Sequence, residues 1–243
     1  MARVFITGSA DGLGQLAAKA LIAQGHQVVL HARNDTRAQG ALNLLPGAET
    51  VVTADLSSIE ETRQLAAIVN ELGKFDAVIH NAGVYNTSAN EIFAINTLAP
   101  YILTCLIEKP RRLVYLSSGM HMQGSSKLDS LKTDISRISY SDSKLHVLML
   151  AKAAARRWPD VYSNAVDPGW VPTKMGGQGA TDDLQKGYET QVWLAVGSDA
   201  GALTTGRYFH HKKEHRHNPA ADDVQQQDRF LLLCEEITGV PFS

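Results

Sequence analysis

Val4-Phe5-Ile6-Thr7-Gly8-Ser9-Ala10-Asp11-Gly12-Leu13-Gly14 is the stretch on which the fold turns. Val4–Thr7 is a short run of apolar and β-branched residues, the pattern of a strand covered on both faces. Glycines at 8, 12 and 14 follow at once, and Leu13 opens a helical apolar pattern over Gly14–Gln24. A strand, a glycine turn and a helix in immediate succession let the backbone approach a pyrophosphate. The helix N-terminus meets it with unpaired N–H groups and the positive end of its dipole. The spacing is TGxxxGxG, one residue different from the GxGxxG fingerprint. A lone turn of this kind also arises for structural reasons, and its place between strand and helix is what favours a nucleotide.

The same alternation continues along the chain. Strand patterns recur at Gln27–His31, Thr50–Thr53, Ala77–His80, Arg112–Leu116, Tyr162–Val166 and Gly206–Phe209. Helical patterns lie between them at Ile59–Leu72, Ala89–Ile107, Ser139–Arg157 and Lys186–Gly197, and Phe230–Leu233 reads as part of a last docking helix. Alternation of this kind predicts a doubly wound α/β fold, a parallel sheet of about seven strands with helices on both faces. The 243 residues suit one domain spanning 1–243, and 44% hydrophobic residues suffice for its core. A net charge of −2 gives no pull toward nucleic acid or membrane surfaces. Cys105 and Cys234 lack metal or disulfide spacing, the N-terminus enters a strand at once, and no apolar run reaches about 18 residues. The expectation is a cytoplasmic protein with free thiols and no membrane partner.

Strand ends are where an open α/β sheet binds its ligand. The second strand ends at His31-Ala32-Arg33-Asn34, where an acidic residue would bind the ribose 2′-hydroxyl of NAD. Ala32 cannot, whereas Arg33 can pair with a 2′-phosphate, which favours NADP(H) over a plain surface arginine. Asp55 ends the third strand and Asn81-Ala82-Gly83 the fourth; each also has a capping or turn reading. Tyr140-Ser141-Asp142-Ser143-Lys144 puts a phenol and an ammonium one helical turn apart. A lysine beside a phenol is expected to lower its pKa and make a proton donor or acceptor usable near neutrality. Ser117-Ser118 ends the fifth strand, and either serine can be read as a strand-end cap.

Taken together these motifs resemble the short-chain dehydrogenase/reductase family in its single-domain form, with a Rossmann-type fold. The resemblance rests on TGSADGLG at 7–14, Asp55, NAG at 81–83, Asn96, Ser118, YSDSK at 140–144, and Pro168-Gly169 with Thr173. Flanking wording such as LVYLSS and DPGWVPT is most similar to the retinol-dehydrogenase-like and oxidoreductase branch. The resemblance implies a catalytic tetrad of Asn96, Ser118, Tyr140 and Lys144, with Ser117 the competitor for the serine role. It implies NADP(H) contacts from Gly8, Asp11, Gly12, Leu13, Gly14, Arg33, Asp55, Leu56, Asn81, Ala82, Gly83, Tyr140, Lys144, Pro168, Gly169, Val171 and Thr173. The activity implied is hydride transfer between nicotinamide and a carbonyl or alcohol. Two other readings are a non-catalytic NADP-binding regulator and an epimerase or dehydratase using the same Tyr-Lys pair.

Other expectations concern the surroundings. Twenty-two residues separate Ser118 from Tyr140, longer than the family resemblance implies, so Gly119–Arg137 is expected to shape substrate choice. Thr173–Gln185, with Gly176, Gly177 and Gly179, is expected to act as a lid. Trp170, Met175, Tyr188, Trp193, Met120, His121 and Met122 are candidate apolar pocket residues beside a plain packing reading. His210, His211, His215 and His217 lie among Lys212, Lys213 and Arg216 and read as a solvated segment, with no metal. Apolar residues at Ile92, Ile95, Leu98 and Ile102 and at Leu145, Leu148 and Met149, with Lys152, predict a homodimer or homotetramer through these two helices, as the resemblance implies.

Overall fold

The computed structural model describes residues 1–126, 128, 131 and 134–243. The stretch 119–137 expected at the substrate mouth includes Lys127, Asp129, Ser130, Lys132 and Thr133, which lie outside the described residues. The seven expected strands are present as β1 (Arg3–Ile6), β2 (Gln27–Ala32), β3 (Thr50–Thr53), β4 (Ala77–His80), β5 (Arg112–Leu116), β6 (Tyr162–Asp167) and β7 (Tyr208–His210). They pair in parallel in the order β3-β2-β1-β4-β5-β6-β7. An eighth strand, β8 (Lys213–Glu214), corrects the count and runs antiparallel to β7. It is two residues long and polar, so no apolar pattern marks it. Its hairpin turn is His211-Lys212, both at positive φ (49° and 62°), the conformation that matches strand twist in two-residue loops.

The helices are α1 (Gly12–Ala23), α2 (Asp35–Leu44), α3 (Ile59–Glu71), α4 (Ala89–Phe93), α5 (Ala99–Leu106), α6 (Tyr140–Arg157), α7 (Leu184–Val196) and α8 (Val224–Thr238). β1 residues alternate between the two sides of the sheet. Val4 and Ile6 pack with Ala17, Leu21, Leu194 and Ala195 of α1 and α7, and Phe5 packs with Leu65, Ile102 and Phe75 on the other side. Helix α2 escaped the sequence reading because it buries only Ala38 and Ala41 and so carries no apolar stripe. Its signal was the cap: Asn34 Oδ1 accepts from Arg37 N–H at 3.1 Å.

The helix expected over Ala89–Ile107 is interrupted by a π-helical segment, Ala94–Leu98, between α4 and α5. Pro100 supplies the physical reason, since it has no N–H to give the Asn96 carbonyl four residues earlier. The apolar faces expected to await a symmetry mate are covered by the chain itself. Ile92, Leu98, Ile102, Leu145, Leu148 and Met149 are buried, Ile95 is half-buried and lines the groove at the C-terminal strand ends, and Phe230, Leu231 and Leu233 of α8 complete the same core. Among the described residues no helix is long and apolar enough to cross a membrane. The strand order reverses between β1 and β4, because β1 pairs with β2 on one side and β4 on the other. The crevice at the C-terminal ends of these strands is where the predicted site residues converge.

Candidate active site

The glycine turn is built by its neighbours as much as by its own residues. Gly8 has φ 63°, and a Cβ there would stand 2.9 Å from Ala82 Cα. Thr7 Oγ accepts from the N–H groups of Asn81 (3.0 Å) and Ala82 (3.1 Å), and Asn81 Nδ2 donates back to the carbonyls of Thr7 and Gly8. Gly14 makes room for this clamp, because a Cβ would collide with Asn81 Nδ2. Gly14 is thus behind the groove rather than in it. His31, overlooked in the sequence, is buried with Nδ1 accepting from Gly8 N–H (3.0 Å) and Nε2 against the Ala54 carbonyl (3.1 Å). Burial pushes its pKa down to about 4, so the ring is neutral and fixed as the Nε2–H tautomer. A polar ring inside an apolar strand was the available signal.

The groove along these strand ends holds about 380 Å³, within the 300–1,000 Å³ span of ligand clefts. Gly8, Asp11, Gly12, Leu13, Arg33, Asp55, Leu56, Asn81, Ala82, Gly83, Tyr140, Lys144, Pro168 and Thr173 line it, all of them expected. Gly12 has φ 57° and open space where a Cβ would stand, which leaves a bare backbone facing the groove. Arg33 is exposed and makes no hydrogen bond among the described residues. Arg37, brought in by α2, also lines the groove and pairs with Asp11 at 2.5 Å, and Lys174 reaches the same carboxylate at 3.4 Å. Burial alone would raise the Asp55 pKa. Hydrogen bonds from Ser57 N–H (2.9 Å) and Oγ (2.7 Å), with the Arg33 charge, hold it below the usual range instead. A bare glycine cradle beside the Arg33 guanidinium, which makes no hydrogen bond among the described residues, fits a phosphate-bearing dinucleotide.

At the other end of the groove, a capping box formed by Ser139 and Asp142 starts α6 and places Tyr140 at its first position and Lys144 one turn on. Lys144 is buried. Its Nζ donates to the Leu116 carbonyl at 2.8 Å and lies 5.4 Å from the Tyr140 ring centre. Burial pushes the lysine down to about 8, with Asp167 pulling it back up. Tyr140 is pushed up to about 12, first by burial and then by Asp167 and Tyr85, against a lowering hydrogen bond with Ser118. The sequence led us to expect the opposite direction. The reason is that the pair is desolvated together, so the phenolate loses hydration while the ammonium that should favour it is itself weakened.

The two serines have separate duties. Ser117 is buried and donates to the Lys144 carbonyl at 2.8 Å, bracing α6 from below. Ser117 lines the groove and Ser118 does not; Ser118 is half-buried, hydrogen-bonds the Tyr140 side chain, and its Oγ accepts from Met120 N–H at 3.2 Å. Asn96 is also off the groove. Its Oδ1 accepts from Val84 N–H (2.8 Å), and its Nδ2 donates to Val84 O and Ser143 Oγ (both 3.0 Å). Gly83 stands between Asn96 and Lys144, a Cβ there being 3.4 Å from Asn96 Oδ1 and 3.3 Å from Lys144 Nζ. Gly169, at φ 81°, donates to Asp167 Oδ1 at 2.9 Å, and Val171 is buried behind Thr173.

Five large apolar side chains stay exposed near the catalytic end: Tyr85, Met120, Met122, Trp170 and Met175. Tyr85 meets Tyr140 edge-on at 4.8 Å, and Met175 lines the groove. Tyr188 and Trp193 do not join them. They flank a separate groove with Ala20 and His26, on the α1–α7 side of the sheet. His121 is fully buried rather than a pocket residue. The expected lid is knitted to itself, with Gly177 N–H on Thr173 O (2.9 Å), Trp170 Nε1 on Gly176 O (2.9 Å) and Asp182 N–H on Trp170 O (2.9 Å). Among the described residues no three His, Cys, Asp or Glu side chains group as a metal site requires.

The family model described as short chain dehydrogenase matches residues 2–183. The chain is 47% identical to an uncharacterized oxidoreductase of Emericella nidulans, over 99% of this chain and 98% of that one. It is 33% identical to a candidate daunorubicin C-13 ketoreductase of Streptomyces, over 85% and 82% of the two chains. A protein from Mycobacterium paratuberculosis superposes with a TM-score of 0.85 over 100% of this chain and 95% of its own, at 24% identity. RhlG of Pseudomonas aeruginosa, in a complex with NADP, superposes with a TM-score of 0.70 over 86% and 93%, at 19% identity.

Proposed function

The chain belongs to the short-chain dehydrogenase family, and we propose that it is an NADP(H)-dependent reductase of apolar ketones or aldehydes, or the corresponding alcohol dehydrogenase. One observation carries this reading: Tyr140 and Lys144 line the same groove as the glycine turn and Arg33, with Ser118 at the Tyr140 hydroxyl. The backbone of Gly8 and Gly12, with Asn81, Pro168 and Thr173, would hold the dinucleotide, and Arg33 and Arg37 its 2′-phosphate. When bound, the nicotinamide supplies or takes the hydride.

The residues of the chain do the rest. Ser118 Oγ–H donates to the substrate oxygen and polarises the carbonyl as negative charge grows there. Tyr140 hands its phenolic proton to that oxygen. Its raised proton affinity keeps it a phenol at neutral pH, the form that a reductive turn needs. Lys144 holds a positive charge next to the phenolate left behind. The Asn96 side chain anchors the 83–84 turn and Ser143, so that Lys144 is held in register. Tyr85, Met120, Met122, Trp170 and Met175 favour an apolar, bulky substrate at this mouth. One relative carries the description of a candidate daunorubicin C-13 ketoreductase, which agrees with a ketone as substrate.

The test is a panel of phenanthrenequinone, decanal, acetophenone and xylose with NADPH and NADH, followed at the nicotinamide absorbance. Reduction of the apolar members with NADPH is expected, and Tyr140→Phe should cut it by about a hundredfold or more while NADPH still binds. A panel won by xylose, or a Tyr140→Phe variant with normal turnover, would reject the reading.

A further inference from the structure

Given Ser118 as the group that polarises the carbonyl, the geometry points to His121 as the positioning residue that holds it, braced in turn by Asn218. Ser118 sits in extended backbone just past the end of β5, at the head of a 3₁₀ turn over Gly119–Gln123. Its own Oγ reaches only Met120 N–H, at 3.2 Å, and does not hold the Ser118 carbonyl. The His121 ring does: Nδ1 lies 2.7 Å from the Ser118 carbonyl oxygen, and His121 N–H donates to the same oxygen at 3.0 Å. The ring is fully buried, with Tyr208 of β7 against it at 4.6 Å.

The tautomer follows from both ends of the ring. A carbonyl oxygen only accepts, so Nδ1 carries the proton. Nε2 accepts from the Asn218 backbone N–H at 3.1 Å, so it carries none. Protonating the ring would set Nε2–H against that N–H, and burial opposes the charge as well. Asn218 closes the bracket. Its Nδ2 donates to the carbonyls of His121 (3.4 Å) and Gly124 (3.2 Å), and its Oδ1 accepts from Ala220 N–H (3.0 Å). The same segment is tied to the helix of Tyr140 and Lys144. Asp222 takes His217 Nε2 at 2.8 Å and Lys152 Nζ at 2.6 Å, and Lys152 is on α6. Ser118 and Tyr140 are thereby held in register by residues 217–222, which are distant in sequence and do not line the groove.

Three substitutions separate the two ends of the ring. Asn places an amide N–H where Nδ1 was, Gln reaches only Asn218, and Phe reaches neither. With NADPH and phenanthrenequinone, His121→Phe and His121→Gln should lose about ten- to a hundredfold in kcat, the scale of a displaced catalytic group. KM and NADPH affinity should stay within about twofold, and His121→Asn should recover most of the rate. Because His121 acts through Ser118, the pair Ser118→Ala/His121→Phe should be no slower than Ser118→Ala alone. Nitrogen NMR of the cofactor-free chain should show a protonated Nδ1 and a bare Nε2 at neutral pH, and the reverse tautomer would overturn the assignment. A crippled Ser118→Ala beside a fully active His121→Gln overturns the positioning role by itself, as do losses that multiply in the pair. A Ser118→Ala variant with normal kcat removes the reading of Ser118 and the role of His121 with it.

Discussion

At Gly8 a side chain would meet two obstacles at once. The φ of 63° disfavours any L-residue, and the atom a Cβ would meet at 2.9 Å is backbone, Ala82 Cα, which cannot swing away. Gly8→Ala should therefore cost about 1–3 kcal/mol of stability in denaturant unfolding and weaken dinucleotide binding at least about tenfold. Unchanged unfolding would show that the turn relaxes. Arg33 tests the cofactor choice more directly. NADPH should outbind NADH by about 1.5–3 kcal/mol, and Arg33→Ala should remove most of that difference. Arg37→Ala should remove less, because Asp11 already holds part of its charge. Equal titration of both cofactors by the unaltered chain would refute the assignment. Arg33 was legible in the sequence because it directly follows an unmistakable strand. His31 and Arg37 were not, since one works from inside that strand and the other arrives on a helix without an apolar period. Nor was the direction of the Tyr140 shift legible: the YxxxK spacing gives proximity, while burial of Lys144 is a property of the whole packed site.

Among the elements, α8 and the residues after it cover much of the helical face on which a symmetry mate was expected. Phe230 stacks on His146 of α6 at 5.4 Å, and Gly239 ends α8 in the left-handed conformation. The chain then runs back across the helical layer. Tyr101 OH donates to Val240 O at 2.7 Å, Phe242 stacks on Trp158 at 4.7 Å, and Trp158 Nε1 donates to Ser243 O at 2.9 Å. The seat that α5 and α6 would offer a symmetry mate is already filled. Light scattering behind a sizing column should give one species near 26.4 kDa, and a stable dimer of twice that mass would show a different face at work. Phe242→Ala should destabilise the chain by about 3–5 kcal/mol if this seat is as well packed as a core, and thermal unfolding would show it. The α5 and α6 helices were readable because their apolar residues recur with a helical period. That α6 packs on α8 and α5 on α3 was not, because periodicity says that a face is buried and not what buries it. The π-helical segment is a similar case: Pro100 is visible in the sequence, but only the packed helix shows how the chain absorbs its missing N–H.

Across the molecule, the parallel sheet and its two helical layers enclose several histidines that no proton can reach without cost. His31, His80 and His146 are buried, and burial pushes their pKa values down to about 4, 3 and 4. His80 Nδ1 and His146 Nε2 have no partner among the described residues, so neither ring is prepared to hold a second proton. In the unfolded chain these groups titrate near 6.5. The unfolded state therefore binds more protons than the folded one below that pH. Stability is fully present above about pH 6.5 and is lost as the pH falls from there toward 4, each histidine approaching a slope of about 1.36 kcal/mol per pH unit. The upper part of this window lies above the range in which carboxylates titrate, so urea unfolding at about pH 7, 6.5 and 6 reads mainly the histidine contribution. His146→Phe is the informative variant. It fills a space already walled by Phe93 and Phe230 and removes one titrating site. Its stability should fall less steeply with acid than that of the unaltered chain, by about one proton. A slope that stays the same would mean that His146 is protonated in the fold, and that the packing around it is looser than its burial implies.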